Sequence, residues 1–240
     1  MTSATPTIAK TAVVTGGSRG LGRAITAALA DAGWRIVIDG RDGLTVTSAA
    51  RAISGRTGAE VVAVPGDVTE PAHRAALVAA ATAGGHRIDL LVNNAGGLGP
   101  SPRPALADFP LDALADLFEV NVVAPLGLVQ QALPSLVAAG GTIVNVTSDA
   151  GVEPYEGWGG YGATKAALDH LGRILAAEHP ELRVLTIDPG DMRTKMHQDA
   201  FPGEDISDRP RPDESVPGLL RLLESDVPSG RYRVAYVDAM

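Results

Sequence analysis

The 240-residue chain contains no cysteine. Disulfides and thiolate metal sites are therefore excluded, and the cytoplasm is the expected compartment. Cations are in the minority: 20 Lys and Arg stand against 28 Asp and Glu, a net charge of −8. That balance argues against a nucleic-acid partner, whose binding relies on basic patches. No apolar run approaches the ~20 residues of a membrane helix, so no membrane partner is expected. The N-terminal Met1-Thr-Ser-Ala-Thr-Pro6 lacks the charged and apolar regions of a signal peptide. His73, His86, His170, His179 and His197 fall in no ligand-like pairing, and no metal is expected. Repeats, low-complexity tracts and linkers are also missing, so residues 1–240 read as one domain with one core.

What the chain does have is alternation. Strand-like runs near 11–15, 34–39, 60–64, 88–93, 141–147, 182–187 and 232–237 alternate with helical stretches near 20–32, 44–55, 71–83, 111–139, 161–178 and 214–224. That order predicts an α/β fold: a Rossmann-type, doubly wound parallel sheet of about seven strands with helices on both faces. Pro125 and Pro134 are expected to bend or divide the fourth helical stretch. Ligands of such sheets sit beyond the carboxyl ends of the strands, at the point where strand order reverses.

The first strand runs into Thr15-Gly-Gly-Ser-Arg-Gly-Leu-Gly22, followed by apolar residues at helical spacing. Gly16 suits a tight turn, and Gly20 and Gly22 allow phosphates to approach the backbone N–H groups that open a helix. Strand, glycine turn and helix in that order point to a dinucleotide site.

Further along, Tyr161 and Lys165 are one helical turn apart and leave the same face. A fixed ammonium beside a phenol favours the phenolate and lowers its titration point, which would give a general acid/base usable near neutral pH. Ser148, 13 positions upstream of Tyr161, ends an apolar strand and is expected to meet the phenol over a shared substrate oxygen.

In these motifs the chain resembles the short-chain dehydrogenases/reductases of about 250 residues, over nearly its whole length. Thr15 to Gly22 matches that family's T-G-x-x-x-G-x-G, which implies cofactor contacts at Gly16, Ser18, Arg19, Gly20, Leu21 and Gly22. Asp67-Val68 matches the pair that meets the adenine, and Asn93-Asn94-Ala95-Gly96 the segment that steadies the sheet beside the cofactor. Asn121, Ser148, Tyr161 and Lys165 match the catalytic set. Pro189, Gly190 and Thr194 match the P-G-x-x-x-T segment at the nicotinamide end. The resemblance implies that Tyr161 protonates a carbonyl oxygen, Ser148 orients it, and Lys165 holds the cofactor ribose. Asn121 would position a water that passes protons towards Lys165.

Cofactor choice turns on the end of the second strand, Ile36-Val-Ile-Asp-Gly-Arg41. NAD-preferring relatives tend to carry an acid at the position of Gly40; here Arg41 follows it, suited to a 2′-phosphate. Asp39 is one residue early, and strand alternation should point it away. With Arg19 as a second cation, NADP(H) is favoured and NAD(H) is the alternative.

The expected activity is interconversion of a carbonyl and a secondary alcohol on a small molecule, as a ketoreductase. Two alternatives are a catalytically silent cofactor-binding sensor or scaffold, and an epimerase or dehydratase. Residues 191–213, rich in proline and charge, are expected to form a mobile substrate lid. Around the presumed pocket stand Asp149, Glu153, Tyr155, Glu156 and Trp158, an aromatic and acidic rim whose acids are expected to face water. The helical stretches carrying Asn121 and Tyr161 match the family's dimer-forming helices, and a homodimer or homotetramer is expected.

Overall fold

The computed structural model describes residues 9–234. Its elements follow in the order β1 (Thr11–Val14), α1 (Gly20–Asp31), β2 (Arg35–Gly40), α2 (Gly43–Thr57), β3 (Val61–Pro65), α3 (Pro71–Thr82), β4 (Leu90–Asn93), α4 (Leu111–Phe118), α5 (Ala124–Ala139), β5 (Thr142–Val146), α6 (Gly159–Glu178), β6 (Arg183–Asp188), α7 (Lys195–Ala200), α8 (Pro212–Glu224) and β7 (Gly230–Arg233). The strands form one parallel sheet in the order β3-β2-β1-β4-β5-β6-β7. Strand order therefore reverses between β1 and β4, which opens a crevice at their carboxyl ends.

Near-continuous apolar strands make this sheet, because both of its faces are covered. Ala12 and Val14 of β1 point into one core with Ile25, Leu29, Val46, Leu219 and Leu222, from α1, α2 and α8. Val13 points into the other, with Leu77, Leu128, Leu136 and Ile143. Successive residues of one strand thus serve opposite layers.

Three expectations need correction. Residues 111–139 do divide, but upstream of both prolines: a π-helical turn, Glu119–Val123, separates α4 from α5. Pro125 then sits in the first turn of α5, directly after the π-helical turn, and Pro134 is accommodated inside the helix. The same stretch, Leu111–Ala139, is also long and apolar enough to cross a membrane by length and composition. Here α5 lies against the sheet and buries Leu128, Val129, Ala132 and Leu136, while Leu117 of α4 is buried with Phe109 and Tyr161. Finally, β7 begins at Gly230, earlier than expected, and residues 235–237 of the anticipated strand lie outside the described residues.

Candidate active site at the carboxyl edge of the sheet

Thr15, directly after β1, ties the two sides of the crevice together. Its hydroxyl donates to the Val92 carbonyl (3.2 Å) and accepts the backbone N–H groups of Asn94 and Ala95 (3.0 Å each). The Asn94 amide donates to the Thr15 carbonyl at 2.7 Å. The Asn94-Ala95-Gly96 segment is thereby fixed against the glycine turn.

That turn fits a dinucleotide phosphate. A Cβ on Gly22 would overlap the Gly16 carbonyl oxygen, so only glycine lets α1 start this close to β1. Arg19 at the N-cap makes no side-chain cap bond, and no acid occupies the first helical turn. The positive end of a 12-residue helix is left for an anion. Ser18 and Leu21 are buried within the turn.

Asp39 is spent elsewhere. One carboxylate oxygen accepts the Gly16 N–H at 2.5 Å and the other lies 3.1 Å from His73 Nε2, with the residue only 2 % exposed. Arg19 and Arg41 are both exposed. Burial pushes the Asp67 carboxyl up, but hydrogen bonds from the Thr69 N–H and hydroxyl, with Arg41 nearby, hold it below its ordinary value. Val68 beside it is buried.

Ser148 follows β5 in an extended conformation, its Oγ accepting the Ala150 N–H (3.2 Å) and lying 3.1 Å from Asp149 Oδ1. Tyr161 and Lys165 project from the first turns of α6. This helix packs on the 149–151 turn through Gly151, where a Cβ would lie 2.9 Å from the Ala166 nitrogen. Lys165 Nζ donates to the Val146 carbonyl at 2.9 Å and sits 5.4 Å from the Tyr161 ring centre. Asn121, in the π-helical turn, is fully engaged: it exchanges two hydrogen bonds with the Gly97 backbone (2.8 and 3.0 Å) and donates to Thr164 Oγ1 (2.9 Å).

The charge relation between lysine and tyrosine differs from expectation. Burial raises the Tyr161 phenol far above its ordinary value; contact with Ser148 opposes this, while Asp188 and Asp149 add to it. Burial likewise lowers Lys165, to about 8, against an upward pull from Asp169. Desolvation disfavours both charged forms, and it outweighs the attraction that the four-residue spacing suggested.

Pro189 and Gly190 follow β6, and the Gly190 N–H donates to Asp188 Oδ1 at 3.0 Å. Thr194 caps α7 by accepting the His197 N–H (3.2 Å), with its methyl beside Gly20. The segment expected to form a mobile lid is better packed than its composition suggested, burying Met192, His197, Ala200 and Ile206. It also meets Arg103, which the sequence did not single out. The Arg103 guanidinium lies 3.8 Å from the Trp158 ring centre and 4.8 Å from that of Phe201, and Trp158 meets Tyr161 edge-on at 5.6 Å. No periodicity links residues 103, 158 and 201; Arg103 between two prolines was the one local sign of a fixed loop. In the rim, Asp149 accepts the Tyr155 hydroxyl (3.1 Å) and faces Arg233 (3.8 Å), while Glu153 and Glu156 are exposed to solvent.

Residues 10–205 match the family model of the short chain dehydrogenases. An uncharacterised oxidoreductase of Saccharomyces cerevisiae is 31% identical over 93% of this chain and 88% of its own. A 3-oxoacyl-[acyl-carrier-protein] reductase of rhamnolipid biosynthesis from Pseudomonas aeruginosa is 34% identical over 77% of this chain and 73% of its own. The structure superimposes on an alcohol dehydrogenase of the archaeon Thermococcus sibiricus, solved with 5-hydroxy-NADP, with a TM-score of 0.85, 28% identity, and coverage of 94% and 96% of the two chains. The chain is an oxidoreductase of the short-chain dehydrogenase/reductase family.

Proposed function

We propose that this chain is an NADP(H)-dependent ketoreductase acting on a small carbonyl compound. The observation that carries the reading is the convergence of Ser148, Tyr161 and Lys165 on the carboxyl edge of the sheet, beside the uncapped start of α1. A bound nicotinamide dinucleotide supplies the hydride. The residues do the rest. The uncapped N–H groups of α1 and Arg19 hold the pyrophosphate, and Arg41 meets the 2′-phosphate. Asp67 and Val68 border the adenine, and Asn94, Ala95, Gly96, Pro189, Gly190 and Thr194 line the nicotinamide end.

Tyr161 gives its proton to the carbonyl oxygen, and Ser148 donates a second hydrogen bond to that oxygen. Burial keeps the phenol protonated, the form that reduction requires, while making it a weaker acid than a free phenol. Lys165 holds the ribose, and its depressed titration point leaves it able to exchange a proton near neutral pH. The rigid Asn121 bridge fixes the Gly97 loop against α6, and through it the water path towards Lys165.

Asp39 supports the cofactor choice, because both of its oxygens already have partners inside the protein. The Thermococcus sibiricus relative, bound to an NADP derivative, agrees with it. A carrier-bound substrate fits less well, since residues 191–214 hold four Lys and Arg against seven Asp and Glu. The functional unit is a homodimer or homotetramer built through α4 to α6, where Leu111, Val123, Val137 and Ile174 are exposed apolar side chains. NADPH and NADH oxidation measured against a panel of ketones, aldehydes and diketones tests the reading. Faster turnover with NADPH is expected, and no carbonyl-dependent oxidation of either cofactor would overturn it.

A further inference from the structure

Behind the site, the edge strand β7 carries two arginines on one face, Arg231 and Arg233. Arg231 Nη2 donates to the Ser148 carbonyl at 3.1 Å, and its Nε to Asp169 Oδ2 at 3.0 Å. The same Nη2 lies 3.4 Å from Asp188 Oδ2, where Arg233 Nε also arrives at 3.2 Å. Asp169 is one helical turn beyond Lys165, and Asp188 immediately precedes Pro189-Gly190. One side chain therefore touches the serine segment, the lysine helix and the turn at the nicotinamide end. Its acidic partners are almost fully buried, with side-chain exposures of 7% for Asp169 and 2% for Asp188.

We propose that Arg231 is a positioning residue of this active site: it ties the three segments together and neutralises the two buried carboxylates that flank Tyr161 and Lys165. The inference rests on the roles given to Tyr161 and Lys165 above. A buried carboxylate that loses its cation acts on its neighbours with less compensation. Around Tyr161 the charged groups are Lys165 on its own helix, 5.4 Å from the ring centre, Asp188 from β6 and Asp149 from the turn after β5, with Arg233 facing both carboxylates. Around Lys165 it is Asp169 on its own helix, with Arg231 across from it on β7; Tyr161, the Val146 carbonyl and Asn121 complete the surroundings. Removing Arg231 takes away a cation and leaves Asp169 unopposed, so the Lys165 ammonium is favoured and its titration moves up. Removing Asp169 moves it down. A brace without electrostatic effect would move neither.

The chain has three lysines, Lys10, Lys165 and Lys195, so carbon-13 labelling of the lysine ε-carbons resolves Lys165 by NMR without any substrate. Wild type is expected to titrate near pH 8. In Arg231→Met the midpoint should rise by about one unit, in Arg231→Lys it should stay near wild type, and in Asp169→Asn it should fall. With the best carbonyl from the panel, Arg231→Lys should lose at least ~10-fold in kcat while KM for NADPH changes less than about threefold, because the charge survives but the fork does not. An unmoved Lys165 midpoint in Arg231→Met would overturn the proposal; so would an unmoved midpoint in Asp169→Asn, and so would wild-type kcat in Arg231→Lys. Tyr161→Phe run in parallel separates the two readings. If it is active, the ketoreductase assignment fails; if it is inactive while the Arg231 variants behave as wild type, only the role of Arg231 fails.

Discussion

Arg41 and Asp39 stand two positions apart with opposite fates: one reaches solvent, the other is locked beneath the glycine turn. Losing one hydrogen bond to a charged group costs ~1.5–3 kcal/mol, roughly ten- to a hundredfold in affinity. Arg41→Ala is therefore expected to weaken NADPH by that factor and leave NADH nearly unchanged in fluorescence titrations. Gly40→Asp should do the reverse, provided Ser18 yields slightly, since a Cβ at Gly40 would lie 3.0 Å from its hydroxyl. NADH bound as tightly as NADPH by wild type, with Arg41→Ala silent, would contradict the assignment. Lys165 offers a test in stability. Its titration falls from 10.5 to about 8 on folding, so below pH 8 the protein bears the cost of a buried charge. That cost disappears as pH rises from 8 to 10.5, because there the unfolded chain binds more protons than the folded one. Lys165→Met should accordingly be inactive but more stable than wild type at pH 7, by up to ~3 kcal/mol less whatever the orphaned Val146 carbonyl costs. The advantage should shrink in melts above pH 8; a variant less stable at pH 7 and unaffected by pH would contradict this. Residue identities were legible in the sequence because each motif joins a rigid backbone need to a chemical one. The protonation balance was not, because burial depends on the whole fold.

At the level of elements, residues 191–213 divide into a capped short helix and a loop that returns to Pro210, whose carbonyl accepts the Arg193 N–H at 2.8 Å. If this segment closes over substrate, its amides should exchange rapidly in the free protein and slowly in a ternary complex, as hydrogen-exchange mass spectrometry can measure. Equal protection in both states would make it fixed structure. Most elements could be placed from periodicity and glycine turns, since near-continuous apolar strands flanked by amphipathic helices leave few alternatives. The π-helical turn at Glu119–Val123 could not, because its apolar pattern continues that of the helices on either side. Edge strand β7 reads Gly-Arg-Tyr-Arg, polar because its partners are the buried carboxylates of β6 and α6; apolar patterning alone therefore placed it too late. Arg103 escaped for a related reason: its partners, Trp158 and Phe201, are brought to it only by tertiary structure.

For the molecule as a whole, one parallel sheet gathers residues from position 15 to position 231 onto a single edge, and the account rests on that edge transferring a proton as hydride moves. Sequence order alone implied the gathering, because a doubly wound sheet with its reversal between β1 and β4 has one such crevice. Substrate identity was not legible, because it belongs to irregular loops whose shape no local pattern dictates. The most direct test is NADPH oxidation by wild type and Tyr161→Phe with the best carbonyl of the panel, alongside melting curves and NADPH titrations of both proteins. The variant is expected to fold and bind NADPH as wild type does while turnover falls at least ~10²-fold. A folded, cofactor-binding Tyr161→Phe that retains wild-type turnover would contradict the account.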